Sequence, residues 1–423
     1  MSPTLPGPDD IAHVTLANGL RVLARENPTT PTVVIDGYLH GGAVLEPAER
    51  TGLSSFTASM LMRGTERRTF EEIHDAVESV GASLGVYSGR HAVGFSGKCL
   101  AEDFGVLLDV LGDVLQHPTF PADHVEKLRG ERLTQLQERD NDTRSVASLL
   151  FRELAYPADH PYSRPIEGHP ETVTAIGRDD LLDFYRRTYT PQGGALVVVG
   201  AVRAEAAIAA VEAALGGWQG PPPLAPTFPP VTLPAGVVRR ERILPGKTQS
   251  DIVLGVPALR RSDPDYHAAR VADTVLGRFG MMGRLGENVR ERLGLAYYAY
   301  SSLEAGNEPG PWTVIAGVAP ANVARCLEAV EAELERLVSE PVPAEELEDS
   351  KAYLVGSLPL RLETNQGVAA AVLDMVWYDL GLDYLQRYAG LIQAVSAEQV
   401  RRVAARFWRP GAYAVAIAGP ERT

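Results

Sequence analysis

Side chains able to do chemistry are spread thinly along this 423-residue chain. Its nine histidines form no i, i+4 pair, the spacing that lets one helix face hold a zinc ion. His117, His124, His160 and His169 stand near prolines, in loop or cap settings that suit packing or surface roles. Cys99 and Cys326 lie far apart, so a disulfide framework and a multi-cysteine metal site are both excluded, and each reads as a small buried apolar side chain. Gly246-Lys247-Thr248 looks like the end of a phosphate loop, but the earlier glycine is missing, position 241 being Glu241. Gly277, Gly280 and Gly283 are spaced G-x-x-G-x-x-G, which is not the dinucleotide fingerprint. Ser54, Ser55, Ser88 and Ser96 sit in no G-x-S-x-G elbow. Residue types and spacings alone name no familiar catalytic centre.

The elements around these residues are more informative, because they occur twice. A polar cap, an amphipathic helix, a turn and an apolar strand run from Ala175 through Pro191 to Gly200. The same series runs from Ala394 through Pro410 to Gly419, with each of these three positions displaced by 219 and no gap. Upstream, a stripe of Val106, Leu107, Val110, Leu111, Val114 and Leu115 leads into Pro121-Ala122. A matching stripe of Val323, Leu327, Val330, Leu334 and Leu337 leads into Pro343-Ala344, and a charged helix follows each. A period this long marks a duplicated domain, not a solenoid. Val14–Leu16, Leu20–Leu23 and Thr32–Ile35 read as strands, with Asn18-Gly19 as a hairpin turn, and 250–255 and 312–316 read as strands of the second copy. The expected fold is α+β: two homologous α/β domains, each a mostly antiparallel sheet packed against helices. The expected division is 1–217, a proline-rich linker over 218–235, and 236–423.

Hydrophobic residues make up 45% and charged residues 22%, which excludes disorder and coiled coil. A net charge of −14 disfavours nucleic acid and anionic membrane as partners. No apolar run is long enough to span a bilayer, and the first ten residues have no basic, then apolar, signal pattern. A cytoplasmic location is the expectation.

One segment goes beyond generic packing. It is Gly41-Gly42-Ala43-Val44-Leu45-Glu46-Pro47, followed by Gly52-Leu53-Ser54-Ser55-Phe56-Thr57-Ala58-Ser59-Met60-Leu61-Met62-Arg63-Gly64-Thr65. It resembles the pitrilysin-type inverted-zincin metallopeptidases, which include the mitochondrial processing peptidase. In that family a helix carries H-x-x-E-H inside a G-L-x-H-x-x-E-H-M-L-x-x-G-T frame. The frame is present in Gly52, Leu53, Phe56, Met60, Leu61, Gly64 and Thr65. The resemblance assigns the two histidine positions to Ser55 and Ser59, the glutamate base to Ala58, and the later third ligand to Gln135. Serine hydroxyls and an amide are poor zinc donors, and alanine supplies no base. Catalytic zinc and unaided peptide cleavage are therefore not expected. Leu16–Val22 is similar to the family's opening hairpin, and His160–Gly168 to its G-H-P-x-x-x-P-I-x-G loop. Gly85 stands where active members usually have asparagine on the substrate-receiving strand.

The second half keeps more of the pattern. Arg284-Leu285, then Val289-Arg290-Glu291-Arg292-Leu293-Gly294-Leu295-Ala296-Tyr297, resembles the family's R-L-x-x-x-V-R-E-x-x-G-L-A-Y segment. The resemblance implies that Arg290 and Tyr297 reach over a zinc site and donate hydrogen bonds to a peptide carbonyl or oxyanion. Taken without the family frame, Arg290 reads as a surface ion-pair partner of Glu287, and Tyr297 as a half-buried strand aromatic. Tyr298 and Tyr300 are alternatives in register. Gly277 to Gly283 matches the family's glycine-rich loop. In heterodimeric members one subunit holds the zinc and the other supplies the arginine and tyrosine, closing like a clamshell around an extended or unfolded peptide. The resemblance thus implies a zinc-free, non-catalytic subunit. Its partner would be a homologous catalytic subunit with an intact zinc motif, and the zinc would sit in that partner. The alternatives are a non-enzymatic scaffold of the same family and a metalloenzyme with new ligands.

Overall fold

The computed structural model describes residues 5–277 and 283–421. Gly280 of the expected glycine-rich loop lies outside the described residues. The first half runs β1 (Ala12–Thr15), β2 (Arg21–Glu26), β3 (Thr32–His40), α1 (Leu53–Met60), α2 (Phe70–Glu78), β4 (Ser83–Ser88) and β5 (Ala92–Leu100). It continues with α3 (Phe104–Gln116), α4 (Ala122–Asp140), α5 (Thr143–Ala155), α6 (Pro170–Ala175), α7 (Arg178–Thr188), β6 (Ala195–Gly200) and α8 (Ala204–Leu215). The second half runs β7 (Val238–Ile243), β8 (Ser250–Pro257), α9 (Tyr266–Gly277), β9 (Ala296–Leu303), β10 (Pro311–Val318) and α10 (Val323–Ser339). It ends with α11 (Ala344–Arg361), α12 (Asn365–Trp377), α13 (Tyr384–Gln393), α14 (Ala397–Phe407) and β11 (Ala414–Gly419).

The duplication is visible in sheet topology. One sheet has the order β1-β2-β6-β3-β5-β4 and the other β7-β11-β8-β10-β9. The second repeats the first strand for strand, except that nothing corresponds to β1 among the described residues. Among the described residues only β2–β6 and β7–β11 are parallel, and the other strand pairings are antiparallel. The chain is α+β with two homologous domains, as the repeat predicts.

The compact units are not contiguous in sequence. One comprises 1–136, 165–227 and 359–387, and the other 137–164, 228–358 and 388–423. They depart from the division at the 218–235 linker because two helices are exchanged between the halves. Helix α5, from the first half, packs on β7, β8 and β11, and α12, from the second, packs on β3 and β6. The reason lies in the central strands. Ala195–Gly200 and Ser250–Pro257 are buried at every residue, so each sheet must be covered on both faces. Equivalent caps start the exchanged helices. The Asp142 side chain accepts from Ser145 N at 2.8 Å, and Thr364 Oγ1 accepts from Gly367 N at 3.0 Å.

Candidate functional site

Helix α1 carries the segment that resembles the zinc-motif frame, and the frame residues are the buried ones. Leu53, Phe56, Met60 and Leu61 point into the core of the first unit, and Gly52, Gly64 and Thr65 are buried beside them. Gly52 has φ +99°, and a Cβ there would lie 2.8 Å from Glu167 O, so glycine is needed at that turn. The buried Glu46 carboxylate caps the helix. It accepts from Ser54 N at 2.6 Å and Gly52 N at 3.0 Å, satisfying backbone donors that the helix leaves unpaired. Ser54 Oγ lies 2.6 Å from Ser88 Oγ, which joins α1 to the edge strand β4. The family frame is thus core packing and helix capping, which a chain needs with or without chemistry.

Ser55 and Ser59 lie on the half-buried face of α1 that meets α4. The α4 side chain that reaches them is Arg132. Its Nη1 donates to Ser55 Oγ at 2.9 Å, and its Nη2 donates to Ser55 O at 2.6 Å and Ser59 Oγ at 2.7 Å. The guanidinium also lies over the Phe56 ring, 5.3 Å from its centre. Burial pushes the Arg132 pKa down to about 10, against the opposing pull of Glu167 and Glu46, so the group remains charged at neutral pH. Gln135 is exposed, and Ala58 is fully buried. These residues do not fit zinc: both hydroxyls accept from a cation, and no base stands at Ala58. Among the described residues, no three His, Cys, Asp or Glu side chains are grouped so as to hold a metal ion. Sequence reasoning missed Arg132. The signal was a lone arginine in the buried stripe of α4, which is otherwise Val125, Leu128 and Leu136.

In the second unit a π-helical turn, Gly286–Arg292, carries Arg290. Gly294 N donates to Arg290 O at 3.1 Å and adopts φ +60°, ending the turn with a left-handed residue before β9 begins. The Arg290 side chain is partly exposed, and its contact is with Glu291 at 3.9 Å instead of the Glu287 pairing the sequence suggested. Tyr297 is 63% exposed, not half-buried. It falls at an irregularity of the edge strand β9, where Gly317 pairs with Tyr298 and Val318 with Ala296, so Tyr297 bulges out of the ladder. Its neighbours in register are engaged. The Tyr298 hydroxyl bonds the Asp251 carboxylate, and Arg144 donates to the Tyr300 hydroxyl while lying over both rings. Of the three tyrosines, Tyr297 is the one whose hydroxyl makes no hydrogen bond among the described residues.

Residues 21–168 match the family described as insulinase (peptidase family M16), and residues 175–354 match the one described as peptidase M16 inactive domain. The chain belongs to peptidase family M16. An uncharacterized zinc protease of Streptomyces coelicolor is 28% identical over 359 residues, covering 84% of this chain and 77% of the relative. The uncharacterized zinc protease YmxG of Bacillus subtilis is 25% identical, over 92% of this chain and 96% of the relative. The mouse mitochondrial-processing peptidase subunit beta is 25% identical, over 96% and 83%. Among solved structures, a peptidase M16 inactive domain from Pseudomonas fluorescens superposes with a TM-score of 0.89 at 23% identity, covering 97% of this chain and 98% of that one. That likeness establishes the M16 fold. The matched span 21–168 includes helix α1, where Arg132 bonds Ser55 and Ser59. No helix among the described residues is long and apolar enough to cross a membrane.

Proposed function

We propose that this M16 chain is a zinc-free, non-catalytic subunit that pairs with a homologous zinc-bearing subunit to form a heterodimeric metallopeptidase. The observation that carries this reading is an asymmetry. The first unit has a guanidinium bonded to both former ligand positions, whereas the second presents Arg290 and Tyr297 at an exposed turn and strand edge. An extended or unfolded peptide would lie in the chamber, over the partner's zinc. The Arg290 guanidinium and the Tyr297 phenol would each donate a hydrogen bond to the peptide carbonyl oxygen and to the oxyanion it becomes on water attack. Neither donation requires zinc in this chain. The partner supplies the metal and the general base.

The test is to mix this chain with a homologue carrying intact H-x-x-E-H and to follow cleavage of an unstructured peptide. Cleavage should appear in the mixture and be absent from this chain alone. A stable complex without any gain of cleavage would favour the scaffold reading instead.

A further inference from the structure

The geometry points to Arg132 as a resident cation that has taken the place of the metal between α1 and α4. The inference rests on assigning Ser55 and Ser59 to the former ligand positions, and it is independent of any partner. A metal at such a site does two things. It links the two helices, and it places positive charge against side chains that would otherwise repel or lie unsatisfied. Arg132 does both from within the chain. One side chain on α4 makes three hydrogen bonds to residues four apart on α1, at 2.6, 2.7 and 2.9 Å. The Phe56 ring lies beneath the guanidinium at 5.3 Å, and Phe56 is fully buried, so the cation sits in a prepared position. The carboxylates of Glu46 and Glu167 supply opposing charge.

Arg132 Nε is buried without a hydrogen-bond partner. A guanidinium that left even one donor unsatisfied would favour release to solvent if solvent were within reach. It stays because Ser55 and Ser59 hold the other end. The substitutions on α1 and the arginine on α4 therefore form one coupled set, and the loss of zinc involves more than two missing imidazoles. Restoring the ligands alone would set a dication beside a buried monocation, a repulsion worth roughly tens to thousands of fold in affinity.

Two full-length variants test this. The first is S55H/S59H with Arg132 kept, and the second adds Arg132→Val, so that the two imidazoles four apart on α1 are the introduced donors in both. Both are dialysed against buffered zinc, and bound metal is measured by elemental analysis on monodisperse fractions with native circular dichroism. The expected result is about one zinc per chain for the second variant, with an affinity at least about 100-fold above the first. Equal zinc binding by the two would overturn the inference. Should either fold poorly, a double-mutant cycle of Arg132→Met with Ser59→Ala in the otherwise native chain tests the same coupling. The two substitutions should be non-additive by about tenfold in the unfolding equilibrium constant. Additivity within about twofold would overturn the proposal. Because zinc content and unfolding are measured on this chain alone, a failure here is distinguishable from a failure of the heterodimer assay.

Discussion

The two units are built on one plan and differ where chemistry would occur. In the first, α1 and α4 close on each other through Arg132, Ser55 and Ser59. Helices α9 and α11 stand in the corresponding places of the second. There an open cleft of about 680 Å³ is lined by Arg284, Asn288, Glu333, Arg336 and Glu346. Arg284 is tied to Glu346 by two bonds of 2.8 Å, so this cleft is also organised by an arginine, but it stays open and polar. The edge strands differ in the same sense. Strand β4 carries Gly85, with no side chain to offer, whereas β9 bulges to present Tyr297. Duplication keeps the strand order and core of both copies, because packing requires them.

The largest effect expected to test this contrast is on catalysis in the mixture. Arg290→Ala and Tyr297→Phe should each lower kcat/KM by about 10²–10³, the typical cost of losing one oxyanion donor. Tyr300→Phe, whose hydroxyl is already bonded to Arg144, should change it by less than about threefold. Equal losses for Tyr297→Phe and Tyr300→Phe would erase the distinction between the bulged tyrosine and its neighbours.

The second effect concerns buried carboxylates on the two sheets. Asp251 on β8 accepts hydrogen bonds from Thr143, Gln249 and Tyr298. Asp36 on β3 accepts one long side-chain bond, from Gln366 at 3.3 Å, and its Oδ1 has no partner. Burial, with Asp374 nearby, pushes the Asp36 pKa up to about 6, against the Gly37 backbone bond. The folded state therefore binds this proton more tightly than the unfolded chain does. Its stabilising contribution is complete below about pH 4 and is lost as pH rises through about 6, a change of about 2–3 kcal/mol. Asp36→Asn should flatten the fall in urea-unfolding free energy between about pH 4.5 and about 7. An unchanged pH profile would show that Asp36 titrates normally.

The smallest effect belongs to Gly85. A Cβ there would meet nothing within 4 Å, so Gly85→Asn should shift stability by no more than about 0.5 kcal/mol in thermal unfolding. A loss above about 1.5 kcal/mol would mean that β4 is sterically closed to a side chain at this position.

Much of the fold was legible in the sequence, for identifiable reasons. The gapless displacement of 219 predicts the repeated strand order, since Ala195–Gly200 and Ala414–Gly419 occupy equivalent strands. The exchange of α5 and α12 was not legible. Thr143–Ala155 shows that a helix has an apolar face, but periodicity does not say which sheet that face covers. At the site, the family resemblance picked out Ser55, Ser59 and Gln135, yet Gln135 is exposed. Arg132, one turn earlier, was passed over because arginine in a charged helix ordinarily reads as surface. The resemblance ranked Tyr297 above Tyr298 and Tyr300, and the bulge and the bonds of its neighbours supply the physical difference between them.

If this chain completes an active site whose zinc belongs to another, the most direct measurement is a titration. A fixed amount of zinc-bearing homologue is titrated with this chain while peptide cleavage is followed. The rate should climb from near zero to a plateau at equimolar chain, with zinc found only in the homologue. A homologue that cleaves equally well alone, with no response to added chain, would contradict the shared active site.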